Sequence, residues 1–295
     1  MANLKEVRTR IASVSSTQQI TSAMKMVSAA KFRRAQNAII GMRPYANQLN
    51  EIVDDIDTGG DVLTPFHAVR PLRTVLLVVV TSNKGLCGAF NSNVIKLAQQ
   101  RIDHYRQTMP ADGTLQVISI GKKSSEMLAH RKDIQLITHD ELFDDPSFDN
   151  VAALADGIMK QFEDKMVDHV EIIYNQFKNS LTQILTTEQW LPVVPKDLKG
   201  SKDLKDSKAN DYIYEPTTED IVRSMVPLTL RSTFYRMVLD SLASEHGARM
   251  NAMQNATDNA DELLKELRLS YNKARQASIT NEIIEIVSGS EALKG

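Results

Sequence analysis

The sequence predicts an α/β fold in which a central sheet domain carries a long antiparallel coiled coil made from the two ends of the chain. Three observations predict it. From Leu228 to Val287 about sixty positions keep a helical period without a proline, and Gly289 is expected to close the run. A second helical pattern fills most of residues 4 to 57, and between the two, short β-branched runs alternate with amphipathic segments.

The last helix is the element on which the others depend. Leu239, Leu242, His246, Met250, Met253, Ala260, Leu264, Leu267, Tyr271 and Ala274 recur at three, four or seven, with Ala256 and Thr257 sharing one slot. At 1.5 Å per residue the helix is about 90 Å long, too long to be buried in a globule, so it needs a partner along its length.

The start of the chain supplies that partner. Asn3 followed by Glu6 reads as a helix start, and Leu4, Val7, Ile11 and Val14 open an apolar seam. The seam is expected to loosen over residues 15 to 21, resume at Met24 and Val27, and continue through Ala35, Ala38, Met42, Tyr45, Leu49, Ile52 and Ile56. Pro44 removes one backbone bond and predicts a bend without an end, and Thr58, Gly59 and Gly60 stop the helix.

Residues 61 to 72 carry two prolines and no period, and read as a linker. Thr74 to Thr81 (TVLLVVVT) is a strand buried on both faces, followed by the turn SNKGLCG and a helix from Asn91 to Met109. A strand at Leu115–Ile120, helices at Lys122–Arg131 and Phe148–Val167, and a strand at His169–Tyr174 complete a parallel, Rossmann-like pattern. Ser180 to Leu191 alternates and adds an antiparallel strand, and the charged run 196–210 (KDLKGSKDLKDSKAN) reads as a surface loop. Thr217 to Met225 is expected to form a short helix before Pro227 opens the long one. The domain plan is therefore 1–60, a first coil helix; 61–211, the α/β domain; and 212–295, a foot segment and the second coil helix.

Composition narrows the function. With 42% hydrophobic, 24% charged and 5% aromatic residues, the chain suits a soluble, mostly helical protein. Its single cysteine, Cys87, excludes an internal disulfide, the six histidines are scattered, and MANLKEVRTR has no apolar secretion core. His139, Asp140 and Glu141 form a polar cluster that reads as solvated loop. No cofactor or metal is called for.

Residues 1 to 43 carry eight Lys or Arg against Glu6 as the single acid, so the first helix could meet nucleic acid phosphates or an acidic protein. The loop SNKGLCGAFN, with Lys84, Gly85 and Gly88, lies where doubly wound sheets bind phosphate but lacks the glycine and lysine spacing of a nucleotide cradle. It reads as a structural turn with Cys87 packed inside. Near the C-terminus, Ile279, Ile283, Ile284, Ile286 and Val287 cover an arc of about 160°, wider than one partner helix hides. They predict an apolar tip enclosed by another molecule.

Three stretches carry a resemblance. TQQITSAMKMVSAAKFRRA, SNKGLCGAFN and ARMNAMQNATDNADELLKELRLSYNKARQASITNEIIEIVSGSEAL together resemble the gamma subunit of the rotary, proton-driven ATP synthase. The resemblance implies a non-catalytic rotor shaft turning within a hexamer of alpha and beta subunits, whose hydrophobic sleeve encloses the tip. It implies an epsilon subunit and a c-subunit ring as further partners, no nucleic acid, and membrane association only through the complex, on the cytoplasmic face of a bacterial plasma membrane. Carried onto matching positions, Met24 and Lys25 fall in a coupling segment faced by Arg275, Gln276 and Thr280 of the RQASIT motif. Arg249 and Gln254 match positions that meet a beta-subunit loop, and Tyr212, Tyr214 and Glu215 of YIYEP match the foot on the c ring and epsilon subunit. His246 and Gly247 depart from the family's usual glutamine and non-glycine pair, and SNKG replaces serine-aspartate-arginine-glycine.

Overall fold

A computed structural model describes residues 4–57, 64–193 and 217–292. The expectations for Asn3, for Thr58 to Gly60, for the charged loop 196–210 and for Tyr212, Tyr214 and Glu215 lie outside the described residues. Helices α1 (Leu4–Asp57) and α5 (Thr218–Ala292) flank strands β1 (Thr74–Val80), β2 (Thr114–Ile120), β3 (Gln135–Thr138), β4 (His169–Phe177) and β5 (Gln183–Leu191). Helices α2 (Phe90–Thr108), α3 (Lys122–Leu128) and α4 (Phe148–Glu163) lie between them. The chain divides into two compact units, Met1–Ala29 with Arg249–Gly295, and Ala30–Ala248.

The larger unit is built on one five-stranded sheet in the order β3-β2-β1-β4-β5, parallel except where β5 pairs antiparallel with β4. Strand β1 is apolar at every position from Val75 to Val80 because both of its faces are covered. Val75, Leu77 and Val79 pack under Val94, Ala98 and Ile102 of α2. Leu76, Val78 and Val80 pack under Val151, Ile158 and Phe162 of α4 and also under Val222, Val226, Leu230 and Phe234 of α5. The beginning of the last helix is thus part of the sheet's core.

That packing corrects the reading of Pro227. The helix starts at Thr218, where the Thr217 hydroxyl accepts from the Asp220 N–H, and runs straight through the proline. The missing bond frees the Arg223 carbonyl on an exposed turn where water can meet it, while Val222, Val226 and Leu230 stay anchored on the sheet. Gly289 likewise fails to end the helix, which continues to Ala292. One interior glycine costs about 1 kcal/mol, less than the hydrogen bonds formed around it contribute.

Three smaller elements were absent from the sequence reading. Strand β3 is a four-residue edge, and 3-10 turns form at Pro65–His67 and Asp140–Phe143. The supposed linker therefore carries a core residue, since Phe66 is buried and stacks on Phe162. The polar cluster at 139–141 is also more than solvated loop. Asp140 Oδ1 accepts the Ser125 hydroxyl at 2.6 Å, and Leu142 and Phe143 behind it are buried.

In the smaller unit the two helices share a seam. Gln18 Nε2 donates to Asp261 Oδ1 at 2.6 Å, and the Thr21 and Thr257 hydroxyls meet at 2.8 Å, so the strands of this coil run antiparallel. Carried along both helices, this register sets Val7 against Tyr271 and Leu4 against Ala274. Val7, Thr21, Ser28, Met253, Ala260, Leu264 and Leu267 are buried along it.

The seam does not loosen where apolar residues run out. It keeps its three-four spacing through Gln18, Thr21, Lys25 and Ser28, and Val27 is instead 59% exposed. The hydroxyls tolerate this because each finds a partner in its own helix, Ser28 on the Met24 carbonyl at 2.7 Å and Thr257 on the Met253 carbonyl at 2.8 Å. In the larger unit the same correction applies twice. Ile39 takes the buried position expected of Ala38, and Tyr45 is exposed, while Leu242 packs half-buried against the cluster as expected.

Candidate functional site

An open doubly wound sheet binds ligands where strand order reverses, here beyond the C-terminal ends of β1 and β4. In this chain its own polar groups cross-link the loop after β1, beside a groove of about 410 Å³ lined by Gly85, Gly88, Asn91, Lys96 and Lys123. The Ser82 N–H donates to Asn91 Oδ1 at 2.9 Å, and Asn91 Nδ2 donates to the Ser82 hydroxyl at 2.8 Å and to Cys87 Sγ at 3.2 Å. From the other side, Asn175 Nδ2 donates to the Phe90 carbonyl, and the Ser244 hydroxyl of α5 donates to the Asn175 carbonyl. Asn83 ties the loop across to α3, accepting from the Lys122 N–H at 2.9 Å.

A phosphate cradle needs outward N–H groups, and the Ser82 and Lys122 amides are already bound inside. Gly121 closes the same corner at a φ of 104°. A Cβ there would lie 2.1 Å from the Thr81 carbonyl oxygen, so the α3 turn approaches β1 more closely than any side chain permits. The turn reading of SNKGLCGAFN holds, with Cys87 buried. Among the described residues no group of three or more His, Cys, Asp or Glu side chains is arranged to hold a metal ion.

The surface offers more than the crevice does. Ser278 is the last half-buried position of α5, and every described side chain from Ile279 onward is exposed. Ile279, Ile283, Ile284, Ile286 and Val287 are 48 to 71% exposed. From Ile279 to Ala292 the helix extends about 21 Å, carrying apolar side chains that nothing in the described chain covers.

The other expected contact residues fall into two groups. Arg275, Gln276 and Thr280 are exposed on α5, where the Thr280 hydroxyl donates back to the Gln276 carbonyl at 2.9 Å. Met24 and Lys25 are half-buried on α1, and Gln254 is half-buried with its amide donated to both carboxylate oxygens of Asp258. Arg249 is 8% exposed, the most buried of the expected contact residues in the described chain.

The sequence reading missed an apolar surface on α1. Ile20, Met26 and Val27 are 59 to 65% exposed on a helix whose seam lies elsewhere. The available signal was the strict three-four spacing itself. Extending it through Gln18, Thr21 and Lys25 leaves Ile20, Met26 and Val27 off the seam.

The polar layer on the seam is open to measurement. In a double-mutant cycle with Gln18→Leu and Asp261→Leu, denaturant melts should return a coupling of about 1 kcal/mol, as expected for a part-exposed bond to a carboxylate. Strictly additive single effects would mean that the 2.6 Å contact contributes nothing in solution.

Among the described residues no helix is long and apolar enough to cross a membrane. A family-wide sequence pattern described as ATP synthase matches residues 3–293. The ATP synthase gamma chain of Flavobacterium johnsoniae is 51% identical over the whole of both chains, and that of Bacteroides fragilis is 43% identical over 99% of this chain and all of the relative. Among solved structures, the central stalk of the Tetrahymena thermophila mitochondrial ATP synthase matches with a TM-score of 0.56 and 26% identity. That match covers 80% of this chain and 99% of the other. A chain of the Euglena gracilis mitochondrial ATP synthase matches with a TM-score of 0.64 and 21% identity, over 98% and 94% of the two chains. With a family match over residues 3–293 and full-length kinship at 51% identity, the chain belongs to the ATP synthase family, among its gamma chains.

Proposed function

We propose that this chain is the non-catalytic central shaft of an ATP synthase, passing rotation from a membrane ring of c subunits to a catalytic hexamer of alpha and beta subunits. One observation carries the reading. The apolar helix end from Ile279 to Val287 continues past the last seam position and stands exposed, as a shaft tip destined for an apolar sleeve must. In this reading the loop after β1 is a structural turn, its Ser82 and Lys122 amides tied into the domain.

In this reading Met24, Lys25, Arg275, Gln276 and Thr280 meet successive beta subunits, with Gln254 and the Arg249 region lower on the shaft. Tyr212, Tyr214 and Glu215 form the foot on the c ring and epsilon subunit, and the complex lies on the cytoplasmic face of a bacterial plasma membrane. A partner shifts a two-state equilibrium only through its difference in affinity between states, so useful shaft contacts are few, polar and exchangeable. Exposed Arg275 and Gln276 fit that requirement.

Arg275→Ala tests the assignment. In vesicles reconstituted with the full complex, proton-driven ATP synthesis should fall about fivefold, the order expected from losing one charge-assisted contact. The unfolding midpoint of the isolated chain should stay unchanged, because the side chain is exposed. Unaltered synthesis would remove Arg275 from the coupling contacts.

A further inference from the structure

The β4–β5 hairpin meets both long helices at one place within the larger unit. Phe177, the last residue of β4, packs edge-on against Phe32 of α1 with ring centroids 5.5 Å apart. It also covers a cluster of Ala35 and Ile39 from α1 with Leu239 and Ala243 from α5. Two residues before it, the Asn175 carbonyl accepts the Ser244 hydroxyl of α5 at 3.1 Å.

One turn further along α5, Gly247 faces the hairpin turn. A Cβ on this glycine would lie 3.2 Å from the Ser180 carbonyl oxygen, and 3.6 Å from both Ser180 Cα and Phe32 Cε2. Glycine in a helix interior costs about 1 kcal/mol relative to alanine, and here the missing side chain is the space the hairpin backbone occupies. A Cβ at 247 already asks the turn to give by a few tenths of an ångström, and a long side chain asks for more.

We propose that this hairpin turn is a collar joining the sheet to the two long helices, with Gly247 as its socket, and that turning force passes between domain and helices through it. The inference rests on the shaft reading. Each helix also continues covalently out of the unit, but a single helix yields to twist and bending more readily than one held sideways. Aromatic packing on α1, a hydrogen bond on α5 and backbone seated against Gly247 hold the pair at three points. Gly247 is a positioning residue, remote from any reacting atom.

The test uses the assembled complex in vesicles, with proton-driven synthesis and ATP hydrolysis measured on the same preparation. Gly247→Gln should lower synthesis about threefold or more while hydrolysis stays close to that of the unmodified complex, the mark of lost coupling. A second variant, Ser180→Cys with Gly247→Cys, puts a thiol on each side of the contact, where a Cβ at 247 lies 3.6 Å from the Cα of residue 180, and the link is confirmed by peptide mapping before it is read. Reduced, it should synthesise slowly because the socket is filled. Oxidised, with peptide mapping to show that buried Cys87 is not in the link, it should recover most of the lost synthesis.

Equal synthesis by Gly247→Gln and the unmodified complex would overturn the collar, and so would a further loss on oxidation of the thiol pair. The oxidation step is read within one preparation, so it decides even where Gly247→Gln assembles poorly. Failure of the shaft reading looks different: the unmodified chain would then fail to support proton-driven synthesis at all.

Discussion

Replacing Ile283, Ile284 and Ile286 together by aspartate should reduce proton-driven ATP synthesis at least about tenfold and leave the isolated chain as stable as before. The first half follows from desolvation: a carboxylate moved from water into an apolar sleeve costs several kcal/mol, and about 1.4 kcal/mol already corresponds to a factor of ten. The second half follows from exposure. These three side chains are 55 to 71% exposed and lie beyond the last half-buried seam position, so no packing is lost when they change. A thermal midpoint within about 2 °C of the unmodified chain, beside lost synthesis in reconstituted vesicles, checks both at once. If the midpoint falls by more than that, the tip packs within its own chain, and its exposure cannot be the argument for an external sleeve.

Why that tip could be read from sequence, and the middle of the coil could not, is a matter of what each surface must satisfy. Ile279 to Val287 announce themselves because five apolar residues on so wide an arc cannot all face one helix. Strand β1 was equally open to reading, since TVLLVVV fits a strand covered on both sides and little else. Strand β3 offered no such signal: it is four residues at a sheet edge, with one half-buried side chain, and only its register with β2 makes it a strand. Pro227 misled because its local meaning, a helix start, was overruled by Val222, Val226 and Leu230 on the sheet. The seam at Gln18, Thr21, Lys25 and Ser28 misled for the opposite reason, as polar residues were not expected to be buried where their hydroxyls could bond to their own helix. For Arg249 the resemblance supplied a position and the structure adds that the residue is 8% exposed. A matching position gives residue type, while burial depends on everything packed around it.

Glu171→Ala should destabilise the larger unit by about 2 to 3 kcal/mol, far more than the loss of any ion pair nearer the surface. Glu171 sits on β4 with its side chain 8% exposed and receives a two-pronged contact from Arg101 of α2, Nε to Oε2 at 2.9 Å and Nη2 to Oε1 at 2.7 Å. The Tyr105 hydroxyl adds a third bond at 3.3 Å. Removing the carboxylate strands a guanidinium beside apolar α2 and β4 side chains. Arg101 is 29% exposed and can reach water in part, which keeps the cost below the roughly 3 to 5 kcal/mol of a fully enclosed pair. Nearby, Arg131 bonds Asp103 and Asp133 on a wetter surface, and Asp133→Ala should cost less than about 1 kcal/mol, as exposed pairs do. His169 supplies an independent readout. Burial holds its pKa below the ordinary value, with the Glu171 charge opposing and the Arg101 charge adding to the depression. Loss of Glu171 removes the opposing charge, so the imidazole should titrate at still lower pH by NMR. A stability loss with no movement of that titration would mean that the carboxylate acts on packing alone, and that its field does not reach the ring.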